Sequence, residues 1–282
     1  TYLHPEWTYD RLTRFGYDAI ELTPPKGRYG LGVKMEDYLE THKKLMADYG
    51  LAVSCVNECW GEEWDPFSPT YKTLTEPKTA DLAISETKST TDFAAELEAP
   101  CVTVAVAIHD DITPDNVAEA TAIAVDALRR MSDYAREKDV RLVFEATNHL
   151  EMGKFVNTAL NHKRMIELTE RDNIGILLDW FHANFEELNP YEAVMDAHPL
   201  LWHMHFRDSN SLTPGYGTVD FKAVLRAVKR SGYEGDCTIE SAPMVPNADI
   251  AAKDGIDYLK LLERIVDYQL SPEYPNGFAV RI

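Results

Sequence analysis

Short apolar runs and amphipathic windows alternate along the chain. The runs are Asp18–Leu22 (DAIEL), Leu51–Val56 (LAVSCV), Cys101–Ala107 (CVTVAVA), Arg141–Glu145 (RLVFE), Ile174–Asp179 (IGILLD), Leu200–Phe206 (LLWHMHF) and Cys237–Glu240 (CTIE). Each is short and most are rich in β-branched types, as strands buried on both faces are. Between them lie helical windows at Met35–Tyr49, Asn116–Lys138, Asn157–Thr169, Val219–Arg230 and Ala251–Tyr268. In the fourth window Val224, Leu225 and Val228 share a face, and Gly232 follows as a C-terminal stop. Alternating βα units predict a parallel sheet with helical crossovers.

Seven strands are visible, whereas a (β/α)8 TIM barrel needs eight. Leu12 and Phe15, three positions apart, mark a helical face ahead of DAIEL. The expectation is a single α/β barrel domain over residues 1–282, with its first strand truncated at the N-terminus and Thr1–Tyr2 as that strand's tail. An open doubly wound sheet is the alternative. Gly61–Ala80 reads as a long, irregular, aromatic-rich insertion suited to a lid or pocket wall.

A chain of 282 residues, 45% of them hydrophobic, suffices for one such core. Its 28 basic and 47 acidic side chains give a net charge of −19. That balance argues against nucleic acid, whose binding depends on cationic contacts to phosphates, and against an anionic membrane surface. No run approaches the roughly 18 apolar residues of a membrane span, and no basic-then-apolar leader is visible. Cys55 and Cys59 have a spacing that could hold a metal, but with Cys101 and Cys237 they complete no zinc motif. Four free thiols in a reducing cytoplasm are the expectation. A homo-oligomer stays open.

Four potential ligands stand at or near strand ends, the rim where barrels of this kind place their chemistry. They are Glu145, Asp179, His205 and Glu240, separated by 34, 26 and 35 residues, each about one βα unit. Three carboxylates and an imidazole form an oxygen-rich set, ranked for Mn²⁺ first and Mg²⁺ or Co²⁺ behind it. For any one of these carboxylates alone, a solvated strand end is the plainer reading. His182, three residues after Asp179, reaches for the same cleft from the following loop. Arg207, two past His205, faces the same side. His109, beyond the third strand, points to that rim. Trp60, Trp64 and Trp180 are candidates for an apolar wall under a sugar, although for each one alone core or lid packing is the plainer reading. His203 is read as a partner of His205, a buried structural histidine or a substrate contact.

These positions resemble a known family. Glu145–Glu151 (EATNHLE) resembles the E-x-x-N-R-F-E motif of ketose 3-epimerases of the D-tagatose and D-psicose type, within the xylose-isomerase-like barrel superfamily. Asp179–Glu186 (DWFHANFE) is similar to their D-T-F-H-x-N-x-E, His203-Met-His205 to their H-x-H, and Thr238–Ser241 (TIES) to the strand bearing the last metal glutamate. The likeness is close from about Arg141 to Ser241 and faint before it. It implies that Glu145, Asp179, His205 and Glu240 hold the metal, that Glu145 and Glu240 are the acid/base pair, and that Glu151 and His182 contact substrate. One departure stands out. The family arginine falls on Ser211 and its Gly-Glu pair on Arg207-Asp208.

The implied chemistry is proton abstraction next to a carbonyl that a divalent cation polarises, through an enediolate. Return of the proton to the opposite face of the same carbon gives epimerisation, and return to the neighbouring carbon gives aldose–ketose isomerisation. Both stay open here, as does a dehydratase or lyase acting on a keto-sugar, keto-glycoside or inosose. The expected substrate is a free sugar, because few cations beyond Lys154 and Arg207 lie near the strand ends. Pro214–Gly217 (PGYG) is a weak candidate for a phosphate cradle, with a plain turn as its alternative.

Overall fold

The computed structural model describes residues 4–25, 32–57, 73–105, 112–152 and 155–271, with the side chains of residues 105, 151 and 152 outside that description. Seven strands, β1 (Ala19–Leu22), β2 (Ala52–Val56), β3 (Cys101–Ala105), β4 (Arg141–Ala146), β5 (Ile174–Asp179), β6 (Leu201–Phe206) and β7 (Asp236–Ile239), pair in parallel in sequence order. Sequential order leaves no topological switch point, which removes the doubly wound alternative. Ten helices are found among the described residues. They are α1 (Pro5–Phe15), α2 (Met35–Tyr49), α3 (Pro77–Glu96), α4 (Val117–Glu137), α5 (His149–Met152), α6 (Ala159–Thr169), α7 (Trp180–Glu186), α8 (Pro190–Ala197), α9 (Phe221–Ser231) and α10 (Ala248–Leu270). The sheet is a nearly closed barrel with helices outside it.

Side-chain alternation along the strands makes two cores. Ile20, Val102, Leu142, Ile176, Leu178, Met204 and Phe206 point outward and join the helices in one large apolar cluster. Cys55, Cys101, Val143 and Leu177 form a second, smaller cluster with Trp202 packed against it. On β4 and β5 this inner set lies two residues before a ligand, Val143 before Glu145 and Leu177 before Asp179. The floor is sealed by Trp202, whose ring covers Gly175 so closely that an added Cβ would lie 2.2 Å from it. Arg141 stacks on the same ring, 5.2 Å from its centroid.

Two sequence expectations need correction. The CTIE run is a strand over Asp236–Ile239, so Glu240 stands just past its end, where its N–H still donates to Phe206 O at 3.2 Å. The expected insertion over Gly61–Ala80 overlaps a helix: residues 61–72 lie outside the described ones, and Pro77 begins the 20-residue α3. That helix buries Ala80, Ala83, Ile84, Thr87, Thr90, Thr91, Phe93 and Ala94, a face with only two large apolar residues, too few to register as hydrophobic periodicity.

β1 and β7 are the two ends of the sheet order. Between them runs a cavity of about 600 Å³ whose lining includes Leu12, Ile20, Glu21, Thr238, Ile239 and Leu259.

Candidate metal centre

Parallel register brings the ligand candidates to one level. Asp179 of β5 is paired with His205 of β6, and His205 with Thr238 of β7, two residues before Glu240. One donor atom from each of Glu145, Asp179, His205 and Glu240 lies within 4.8 Å of all the others. His205 Nδ1 stands 3.3 Å from Glu240 Oε2, 3.7 Å from Glu145 Oε1 and 3.9 Å from Asp179 Oδ2.

Asp179 is buried and caps α7: its Oδ1 accepts from Phe181 N at 2.6 Å and His182 N at 3.3 Å. Its Oδ2 and His205 Nδ1 have no hydrogen-bond partner among the described residues. Two buried polar atoms that converge unpaired are costly unless a further group satisfies both. A divalent cation fits that requirement, and three carboxylates with one imidazole fit the hard-cation class.

The electrostatics follow from crowding. Burial raises the Asp179 carboxyl well above its usual range, and the neighbouring Glu240 and Glu145 push it further. Burial acts in the same direction on Glu240, but the facing His205 and Arg207 outweigh it and hold that carboxyl at about 2. Burial disfavours the charged form of His205, yet Glu21 and Glu240 raise it well above the ordinary imidazole value.

The other predicted residues separate into groups. His182 is buried, with Nε2 3.8 Å from Glu145 Oε1, while its Nδ1 lies 3.2 Å from the donating N–H of Asn148. Arg207 extends over the Phe181 ring at 4.4 Å, its Nη1 3.7 Å from Glu240 Oε2 and 3.9 Å from Asp179 Oδ2. Its Nε and Nη2 donate to Ser211 Oγ at 2.9 and 2.6 Å, so Arg207 places a guanidinium against the residue that stands at the family-arginine position. Trp180 belongs to the outer core against Tyr191 rather than to a wall of the cleft. Trp60, His109 and the Glu151 side chain lie outside the described residues.

Two amides of the Pro214–Gly217 turn are committed within the chain, Gly215 N to Asp208 and Tyr216 N to Thr213 O at 3.1 Å. Buried Asp208 accepts from Ser209 N at 2.7 Å, Gly215 N at 2.9 Å and Val219 N at 3.1 Å. A carboxylate of the chain thus takes the Gly215 amide and its neighbours on either side of the turn, which favours the plain-turn reading over a phosphate cradle.

Sequence reasoning missed Glu21. Its Oε2 lies 3.1 Å from Nε2 of both His203 and His205, and His203 Nε2 is also 3.1 Å from Thr238 Oγ1. The available signal was an acidic residue in the interior of an apolar strand, between Ile20 and Leu22. The same contacts make His203 a buried partner of Glu21.

Comparison with known proteins follows the same line. L-ribulose 3-epimerase of Methylomonas sp. (strain DH-1) is 32% identical over 123 residues, 44% of this chain and 43% of that protein. Ketose 3-epimerase of Arthrobacter globiformis is 27% identical over 233 residues, 80% of this chain and 73% of that protein. The first of these matches spans less than half of its relative. Among solved structures, 3-keto-D-glucoside 4-epimerase from E. coli superposes with a TM-score of 0.78 at 19% identity, covering 92% of this chain and 95% of that one. Residues 9–262 match the family described as the xylose isomerase-like TIM barrel. With a nearly closed parallel barrel carrying its acidic cluster at the C-terminal ends of its strands, this chain belongs to that family.

Proposed function

We propose that the chain is a divalent-metal-dependent epimerase acting on a free ketose or keto-sugar. The observation that carries this reading is the convergence of Glu145, Asp179, His205 and Glu240, with two buried donor atoms left for an incoming cation. Those four residues would hold the ion, with Mn²⁺ ranked ahead of Mg²⁺ and Co²⁺. A bound cation would stabilise negative charge developing on a substrate carbonyl oxygen.

Proton transfer belongs to the chain's own carboxylates. Glu145 is the penultimate residue of β4 and Glu240 follows β7, so they approach the site from separated parts of the rim. One removes the hydrogen next to the carbonyl and the other returns a proton to the opposite face, each contributing roughly 10²–10⁴-fold. His182, 3.8 Å from Glu145, and Arg207, 3.7 Å from Glu240, flank this pair and are assigned to substrate hydroxyls. Glu151, His109 and Trp60 are assigned to the same pocket by sequence alone. An unphosphorylated substrate is favoured because the acidic rim repels phosphate and Asp208 already takes the Gly215 amide. The free thiols Cys55, Cys101 and Cys237 support a cytoplasmic setting.

Incubation with Mn²⁺ and a panel of free ketoses and keto-sugars in D₂O, followed by NMR, tests the reading. Deuterium at a single inverted carbon is expected. A new double bond would transfer the chain to the lyases, and a strong preference for 6-phosphorylated ketoses would overturn the free-sugar assignment.

A further inference from the structure

Glu21 has no place in the ligand set, yet it meets the His205 ring at Nε2, while the three carboxylates of the set face Nδ1. Its strand turns Ile20 and Leu22 into the outer core and sends the carboxylate inward, where only 8% of the side chain is exposed. An ionised carboxylate can only accept, so the Nε2 atoms of His203 and His205, each 3.1 Å from the same Glu21 oxygen, are its donors. A proton on His205 Nε2 leaves Nδ1 as the atom for a ligand, and Nδ1 is the nitrogen facing Glu240, Glu145 and Asp179. His203 lies nearly edge-on to His205, at 84° with centroids 5.4 Å apart, and is steadied by Thr238. The carboxylate is therefore held while it orients His205.

We propose that Glu21 is a positioning residue for the metal centre: it fixes the ring orientation and tautomer of His205 so that Nδ1 faces the cation, with His203 and Thr238 as its brace. The inference rests on the metal-dependent reading above and adds to it a residue of β1, a strand that supplies no ligand. A ring fixed in this way binds a metal more tightly, because the carboxylate increases the basicity of the opposite nitrogen and removes the rotational freedom that binding otherwise costs. The competing arrangement is a second cation held by Glu21, His203 and His205, whose donor atoms also lie within 4.8 Å of one another.

Calorimetric titration of the chain with Mn²⁺ tests this, comparing the unaltered protein with Glu21→Gln and Glu21→Leu. One ion per chain is expected, with affinity lower by about 10-fold in Glu21→Gln and about 100-fold in Glu21→Leu. A purely structural role would not change the tautomer, so ¹⁵N NMR of histidine-labelled protein loaded with Mg²⁺ supplies a second readout. The His205 Nε2–H signal should be single and protected in the unaltered chain and should broaden or move to Nδ1 in Glu21→Leu. Glu21→Gln keeps the shape of the side chain, so it carries the test where Glu21→Leu fails to fold. Unchanged affinity and an unchanged signal would overturn the proposal, as would two ions per chain with one lost on substitution. A chain that meets the metal expectations but leaves every sugar unaltered would overturn the epimerase reading alone.

Discussion

Asp179 divides its two oxygens between the helix that follows it and the site it faces. Oδ1 caps α7, and Oδ2 is the buried, unpaired donor. Because its carboxyl is raised well above the unfolded value, the folded chain resists ionising it, and at neutral pH the charge opposes folding. Asp179→Asn keeps a good cap and removes the charge. We expect it to raise the thermal midpoint of EDTA-treated protein at pH 7 while lowering Mn²⁺ affinity by at least about 10-fold, and Asp179→Ala to be less stable than Asp179→Asn by about 1 kcal/mol. Buried His42 and His162 act in the opposite sense. Burial lowers both to about 4, against 6.5 for a free imidazole. The unfolded chain therefore binds more protons in that interval. Stability is full above pH 6.5 and falls as the pH drops towards 4, by about 3 kcal/mol for each ring at the lower limit. Urea midpoints measured across that range should decline, and the decline should be shallower in His42→Phe.

At the scale of elements, what the sequence made legible and what it hid have one cause. A strand buried on both faces announces itself as an apolar run, so all seven strands begin within one residue of the expected bounds and six of them also end within one, and the polar residue at the end of RLVFE or IGILLD is conspicuous against that run. The third run was expected to end at Ala107, but residues past Ala105 lie outside the described ones. Glu21 was obscured because a single acid in the four-residue AIEL looks like an exposed face until its histidine partners, 182 and 184 positions away, are seen. Helix α3 was obscured because its contact face is mostly alanine and threonine, with only Ile84 and Phe93 large and apolar; a threonine hydroxyl can turn back to the helix, as Thr91 does to Thr87 O at 2.7 Å. Short α7 and α8 lacked enough turns to show a period. Packing between elements is a further matter that periodicity does not encode. Gly175 lies under Trp202, so Gly175→Ala should displace the indole and lower unfolding free energy by about 1–3 kcal/mol in urea titrations, with little change in Mn²⁺ affinity.

For the whole molecule, a charge of −19 means that the compact state works against its own repulsion. Raising NaCl from about 10 to 200 mM shortens the screening length from roughly 30 Å to less than 10 Å. The thermal midpoint of metal-free protein should therefore rise with salt, and the rise should shrink once Mn²⁺ neutralises part of the central cluster. A falling midpoint would count against self-repulsion as a term in stability. The strand ladders make a separate forecast. Adjacent strands satisfy each other's amides through the middle of the sheet, whereas among the described residues β1 and β7 each have one neighbour. Hydrogen exchange in Asp236–Ile239 should consequently be faster than in Ile174–Asp179.

The space between β1 and β7 has one more consequence. Glu21 and Thr238, which steady the two histidines from behind, both belong to the lining of that cleft in the barrel's flank. The mouth of the barrel is thus tuned from its side wall: whatever widens or laces up this flank shifts the brace on His203 and His205, and with it the grip on an ion that the flank never touches.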